Sequence, residues 1–565
     1  MSQADARESA HVHWLLLGSL STEPSGRRFI LDAESFAESF ASAALRAEVD
    51  LGPALGAGAT VEVEISFAKL REYSLKHVLA SVPLLGKLRT LADSLGGPSS
   101  RRPSDESTVE QVVAMIGDGP LAAELRSVFA GTDAEPSDKA SAPTDQETNS
   151  SSNNKALVDA LLDAPTERPN SARAVDSFIA AMRGTKAKAK AGAARPAHRR
   201  AREAIETAVF GAVNAVLNHP SVTEPEALWR GLKLVVAEAP PRSGMLVEIV
   251  DVATDGIEAA LRECLDDEPM NRPDAFFCFD PIEDPARLLA LALVAEELLA
   301  PMVAGVGPSL FGVDDPEAVI PTLRDAKPDP YAALPEGWPE LRADEGSRWL
   351  AVATNAVVVA SEGAGAARRT VLGSPVFALA AMVAASFRHT GGFGRMTGKA
   401  GALKVPGLRE VQTGREAGSA VPTAAFLSIR GQSELAALGI IGLGSGRNSD
   451  LVVLSEVPTV RASRDAVPLA AQILTGRLVR FGRWVCDQIP AGSTRAEVSE
   501  LIKQAAGVFL FPGLTQGARV DAGVVQEPEQ DGPVVRLVAS VDPRLAGSPF
   551  EVGFDLPLSV ALKDA

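Results

Sequence analysis

Cysteine is scarce in this chain of 565 residues. Its three thiols, Cys264, Cys278 and Cys486, are too scattered for a disulfide framework or a zinc-binding spacing. They read as small buried thiols in a reducing compartment. Tyrosine is rarer still, at Tyr73 and Tyr331, and aromatics make up only 5 % of the residues, too few for a platform that stacks single-stranded nucleic acid or sugars. The six histidines are dispersed, and none completes a Ser-His-acid set. Basic side chains are outnumbered, 55 against 72 acidic ones, and the net charge of −17 argues against a general nucleic-acid binder. Long apolar runs are missing as well. Residues 1–10 are polar, and Val12 to Leu17 is too short for a signal-peptide core or a membrane span, so a cytoplasmic location is expected.

What remains is the composition of a globular protein, 46 % hydrophobic and 22 % charged, arranged as an α/β chain in three parts. Residues 1–130 read as a small α/β module. Val12 to Leu20 is strand-like, and Asp32 to Leu45 is helical, with Phe36, Phe40 and Ala44 repeating every four residues. Val61, Val63, Ile65 and Phe67 alternate with polar residues as in a half-buried strand, and one or two helices follow around Pro83. Residues 131–200 form a linker. It starts polar and rich in Ser, Thr and Pro, carries helical patches at Leu157–Leu162 and Ala174–Met182, and ends in the basic tract Lys186–Arg202. Residues 201–565 alternate strands and helices, as in a largely parallel sheet, with strands expected at Met245–Val252, Ala275–Asp280, APMVAGV, TAAFLSI and DLVVLSE. The last fifty residues change character, to a meander of strands at Ala518–Gln526, Val534–Val541 and Phe550–Leu556.

Candidate chemistry is sparse. His11 and His13 share one side of a strand without an evident third metal ligand. Gly442 to Arg447 (GLGSGR) lacks the Lys-Ser/Thr of a phosphate loop and reads as a turn. Asp266-Asp267 and Glu296-Glu297 read as solvated faces, His219 as a helix-end residue, and the basic tract as a solvated linker. No catalytic, cofactor or metal residue is assigned.

The most informative stretch is Asn218 to Val236, NHPSVTEPEALWRGLKLVV. Thr223 as N-cap, Pro225 in the first turn and Glu226 three residues after the cap predict a capping box. Leu228, Leu232, Val235 and Val236 then share a helical face. Around Leu228, Trp229, Arg230, Gly231 and Leu232 it resembles the WRGL segment of TssC, the large contractile-sheath subunit of type VI secretion systems. Phe67, Leu70, Tyr73, Val78, Pro83, Leu85, Leu88 and Arg89 resemble a pattern of TssB, the small subunit, with Glu72-Tyr73 where that family has Asp-Phe and Leu75 where it has Pro. The helix RLVRFGRWVCDQIPAG resembles a C-terminal TssC helix through Arg480 and Phe481, with Trp484 where that family has Tyr. The resemblance is weakest from Pro328 to Ser433.

The resemblance implies a natural fusion of the two sheath subunits. Such a protein is structural rather than enzymatic. It self-assembles helically around an inner Hcp-like tube, meets baseplate proteins and contracts to deliver effectors. Trp229 is then expected to pack in the sheath core and Arg230 to orient a neighbouring strand. Val12–Leu17, Val534–Val541 and Phe550–Leu556 are the candidate strands shared between subunits. A ClpV-like AAA+ unfoldase would grip Leu157–Leu162 or Ala174–Met182. Two alternatives stand beside this: a non-contracting sheath relative acting as cap, baseplate or regulatory element, and an unrecognised α/β enzyme.

Overall fold

The first strand, β1 (Val12–Gly18), lies near the centre of a seven-stranded sheet whose other members, apart from one short edge strand, come from beyond residue 244. The protein is described by a computed structural model for residues 11–21, 23–97, 102–131, 196–241, 243–362, 369–413, 416–510, 518–526, 533–558, 560 and 562–563. The remaining strands of this sheet are β2 (Arg28–Ile30), β5 (Met245–Asp251), β6 (Ala275–Pro281), β7 (Met302–Gly305), β8 (Leu350–Thr354) and β14 (Ile440–Gly442), in the order β14-β8-β7-β6-β1-β5-β2. β1 pairs in parallel on both sides, Val12 with Met245 and Trp14 with Ala275; only β2 runs antiparallel.

A parallel sheet covered on both faces needs apolar residues at successive positions, and β1 is buried along its whole length. Trp14 and Leu16 point to one face with Val247, Ile249 and Phe277, while Leu15 and Leu17 point to the other with Phe276, Cys278 and Met302. The 16-residue helix α11 (Pro375–Thr390) covers the first face. α8 (Ile257–Glu263) and α9 (Pro285–Leu298) cover the second. The segment expected as a separate N-terminal module therefore shares its central strand with the C-terminal segment. β1, expected as a strand offered to a neighbouring subunit, has both edges occupied within its own chain.

The rest of the N-terminal segment builds α1 (Phe36–Ser42), the hairpin of β3 (Arg46–Asp50) and β4 (Glu62–Ser66), α2 (Leu75–Ser81), α3 (Pro83–Leu95), α4 (Asp105–Ile116) and α5 (Pro120–Ala130). The helical patches at Leu157–Leu162 and Ala174–Met182 lie outside the described residues. After them come α6 (Pro196–Asn218), which packs on α3 and α5, and α7 (Pro220–Glu238).

Beyond β8, β9 (Val357–Glu362) and β10 (Arg369–Gly373) form a hairpin leading into α11. Short pieces follow: β11 (Leu403–Lys404), β12 (Arg409–Thr413), β13 (Glu416–Val421), β15 (Gly444–Ser445) and β16 (Leu451–Val453). The expected strand TAAFLSI is not one. Thr423 makes a single bridge to Val357, and Ile429 already begins α12 (Ile429–Ala436), capped by Ser428. The chain ends with α13 (Leu469–Asp487), α14 (Arg495–Phe509) and the antiparallel meander of β17 (Ala518–Gln526), β18 (Pro533–Val541) and β19 (Phe550–Pro557). Thr494 and Glu497 form a capping box on α14. β18 is paired on both sides, so among the described residues of the meander β17 and β19 each have one edge without a strand partner.

Candidate functional site

Helix α7 starts earlier than Thr223. His219 is the N-cap, its Nδ1 accepting the Ser221 N–H at 3.3 Å, and Pro220 takes the first helical position, where the missing N–H costs nothing. Thr223 instead donates its hydroxyl back to the His219 carbonyl at 3.1 Å. Glu226, expected to close the capping box, is fully buried. It accepts Arg230 Nε at 2.7 Å and Arg369 Nη2 at 2.5 Å. Arg230 reaches Glu362 Oε1 on β9 at 2.9 Å, and Arg369 on β10 also donates to the Leu217 carbonyl at 2.6 Å. These four side chains tie α7 to the β9–β10 hairpin. Burial pushes the Glu362 carboxyl above its ordinary range, and the Arg230 guanidinium opposes that shift.

Trp229, next on the helix, is 1 % exposed and packs edge to face on Phe36 and Phe40 of α1. Phe40 meets Tyr73 at 6.3 Å, and Tyr73 stacks on Phe67 at 4.1 Å with 7° between the rings. Trp229 and the pair Phe67 and Tyr73, singled out more than 150 residues apart in the sequence, are thus joined in one aromatic chain. Phe40 is the link. Its four-residue periodicity marked it as helical, but nothing local showed what it faces. Gly231 lets α7 approach α11 closely, because a Cβ there would overlap the Phe377 ring. Leu232, Leu85 and Leu88 are core residues, Pro83 opens α3, and Arg89 is half-buried.

A second charged node anchors α13. Arg480 is buried and donates to the carbonyls of Arg272 at 2.9 Å and Pro273 at 2.7 Å, and to Asp274 Oδ1. Arg477 Nη1 holds Asp274 Oδ2 at 2.9 Å, and the same oxygen accepts the backbone N–H of His13 at 3.0 Å. Asp274, not noticed in the sequence, therefore joins β1, β6 and α13. Phe481 is buried, while Trp484 packs on Phe509 with ring centroids 4.9 Å apart. A Cβ on Gly482 would collide with Phe554 and Leu556, which shows how tightly β19 lies on α13. His13 Nε2 sits 2.8 Å from the fully buried Glu248, which also receives Arg28 Nε at 2.8 Å.

At the carboxyl ends of β6, β7 and β8 lies a cavity of about 580 Å³ with apolar walls that include Leu228, Val306, Ile320 and Leu435. Its edge carries Asn355, whose φ of 76° is in the left-handed region. The Asn355 amide holds that turn by donating to Leu443 O at 2.7 Å and Ala425 O at 3.0 Å and by accepting Ala425 N–H at 2.9 Å. Among the described residues no cluster of three His, Cys, Asp or Glu side chains could hold a metal ion. No described helix is long and apolar enough to cross a membrane.

Residues 274–461 match the family described as VipB: EvpB/VC_A0108, tail sheath N-terminal domain. That span contains the stretch Pro328–Ser433, where the motif resemblance was weakest, and excludes the Trp229, Tyr73 and Arg480 motifs. No curated protein matches the chain significantly. The contracted helical sheath of the anti-feeding prophage aligns at 15 % identity over 59 % of this chain and 78 % of that one, with a TM-score of 0.33. The baseplate of the same particle aligns at 15 % over 59 % and 77 %, TM-score 0.33. The contracted PVC sheath complex of an extracellular contractile injection system aligns at 12 % over 60 % and 77 %, TM-score 0.32. The family match over residues 274–461 supports a contractile tail sheath protein.

Proposed function

We propose that this chain is a sheath subunit of a type VI-like contractile machine in which the small and large subunits are fused. The tail sheath match over residues 274–461 carries the reading. The aromatic chain from Phe67 to Trp229 supports the fusion, since it packs the small-subunit-like motif against the large-subunit-like one within a single core. Fusion would hold the two parts at one to one and at high effective concentration. Copies stack helically around an Hcp-like tube on a baseplate in the cytoplasm, and the extended lattice relaxes on contraction. The open edges of β19 and β17 are where a strand of the next copy adds.

A ClpV-like unfoldase would grip Leu157–Leu162 or Ala174–Met182, and deleting 154–184 would then abolish its binding. Electron microscopy of the purified full chain tests the main reading. Helical tubes are expected, and particles that stay monomeric at every concentration and salt condition overturn it.

A further inference from the structure

A second cavity, of about 350 Å³, lies where three loops converge: residues 393–397 after α11, residues 456–470 leading into α13, and residues 546–548 before β19. Backbone hydrogen bonds fix its walls. The Phe393 N–H donates to the Leu545 carbonyl at 2.6 Å, the Leu469 N–H to the Val457 carbonyl at 3.0 Å, and the Ala462 N–H to the Arg342 carbonyl at 2.8 Å. A Cβ on Gly394 would collide with the Pro543 and Arg544 carbonyls, so the first and third loops are in close contact. The volume is in the range of sites that hold a small organic molecule.

Two guanidinium groups give this cavity its character. Arg342, on α10 (Trp338–Ala343), is only 8 % exposed. Its Nε donates to the Val460 carbonyl at 3.0 Å, and its Nη1 to the Ala437 carbonyl at 2.8 Å and the Tyr331 hydroxyl at 2.6 Å. All three acceptors are neutral. Among the described residues no carboxylate pairs with Arg342, and none accepts a hydrogen bond from its Nη2. Arg461 lines the same cavity. It reaches the exposed Glu345 through Nη2, while its buried Nη1 has no hydrogen-bond partner among the described residues. Buried cations are ordinarily paired, and buried donors are ordinarily satisfied by protein, water or ligand. Glu456, the acidic residue on the lining, is held by the Ser433 hydroxyl at 2.8 Å. The lining therefore carries two guanidinium charges against one carboxylate, in a chain whose net charge is −17.

We propose that this cavity binds a small phosphate monoester. The dianionic head takes its donors from Arg342 and Arg461, whose planar forks match phosphate oxygens. A phosphate presents three acceptor oxygens to these two groups, one more than a carboxylate can. Thr397 and Ser548 add hydroxyl donors, and Phe393, Met396 and Val467 form an apolar wall for the organic body. The assignment does not depend on the sheath reading, because it rests on the lining of one chain.

Isothermal titration calorimetry of the full chain tests it, with phenyl phosphate as the probe. One saturable site per chain is expected, about tenfold tighter than for inorganic phosphate because the ring is buried as well. Arg461→Gln removes the orphaned Nη1 and breaks an ion pair to an exposed residue, so the fold should survive it. It should weaken phenyl phosphate binding about tenfold. Arg342→Gln should weaken it at least as much. Arg46→Gln, at an exposed position on β3, should leave binding unchanged. Phenyl phosphate should also raise the melting temperature of the native protein more than that of Arg461→Gln. Absence of saturable binding, equal affinity for phenyl phosphate and inorganic phosphate, or binding indifferent to Arg461→Gln would each overturn the proposal.

Discussion

Phe40 and Trp229 meet edge to face, their ring centroids 5.2 Å apart and their planes at 78°. The contact joins α1 of the N-terminal segment to α7, which begins 180 residues later. Trp229→Ala should cost about 3–5 kcal/mol in urea unfolding of the full chain. In a double-mutant cycle with Phe40→Ala, about 0.5–1.5 kcal/mol should appear as coupling. Additive losses would show that the two rings are independent.

Gly231→Ala gives a prediction whose sign is informative. In an open helix the change stabilises by about 1 kcal/mol. Here the new methyl enters the space of the Phe377 ring, so α7 and α11 must separate. Net destabilisation of about 1–3 kcal/mol is expected from chemical denaturation, and Phe377→Leu in the same background should recover part of it. A stabilised Gly231→Ala protein would mean that the two helices are not in close contact.

The Arg480 node should respond to loss of either charge. Arg480→Ala leaves Asp274 short of a partner and the Arg272 and Pro273 carbonyls without this donor, a change that costs about 3–5 kcal/mol. Arg480→Lys keeps the charge but cannot span two carbonyls and a carboxylate with one planar fork, so an intermediate loss is expected. Thermal melting of the three proteins side by side gives the ranking.

Stability should also fall on the alkaline side through the thiols. Burial pushes the Cys486 thiol up to about 11, with the Asp487 carboxylate adding to the shift, and burial pushes Cys278 higher still. An acid held above its unfolded value stabilises the fold below that value and loses the contribution as pH rises through the folded one. The loss therefore falls between about pH 9 and pH 11, and Cys486→Ala should flatten part of it. In native protein at pH 8 all three thiols should resist alkylation until denaturant is added. Rapid modification of Cys486 under native conditions would contradict its burial.

Short-range signals in the sequence located most elements correctly. Alternation revealed β4 and the C-terminal meander, and Pro83 divided α2 from α3. The errors have physical causes. Thr223, Pro225 and Glu226 imitate a helix start, yet the chain reaches Pro220 already turned by His219, and Glu226 is drawn inward by Arg369, more than 140 positions away. Thr423 to Ile429 has strand-like residues but finds no ladder to join. The contacts that define the candidate site, Glu226–Arg369, Arg230–Glu362 and Arg480–Asp274, join positions over a hundred residues apart, and neither periodicity nor propensity carries that information.

The threading of β1 between β5 and β6 has a consequence in time. Val12 leaves the ribosome 233 residues ahead of its partner Met245, and at about 5–20 residues per second that is an interval of about 12–47 seconds. Throughout it a seven-residue apolar strand has no neighbour of its own chain to pair with. Newly made protein is therefore most exposed to misassociation early in synthesis, and co-translational chaperone capture should concentrate on chains shorter than about 280 residues, before both Met245 and Ala275 have arrived.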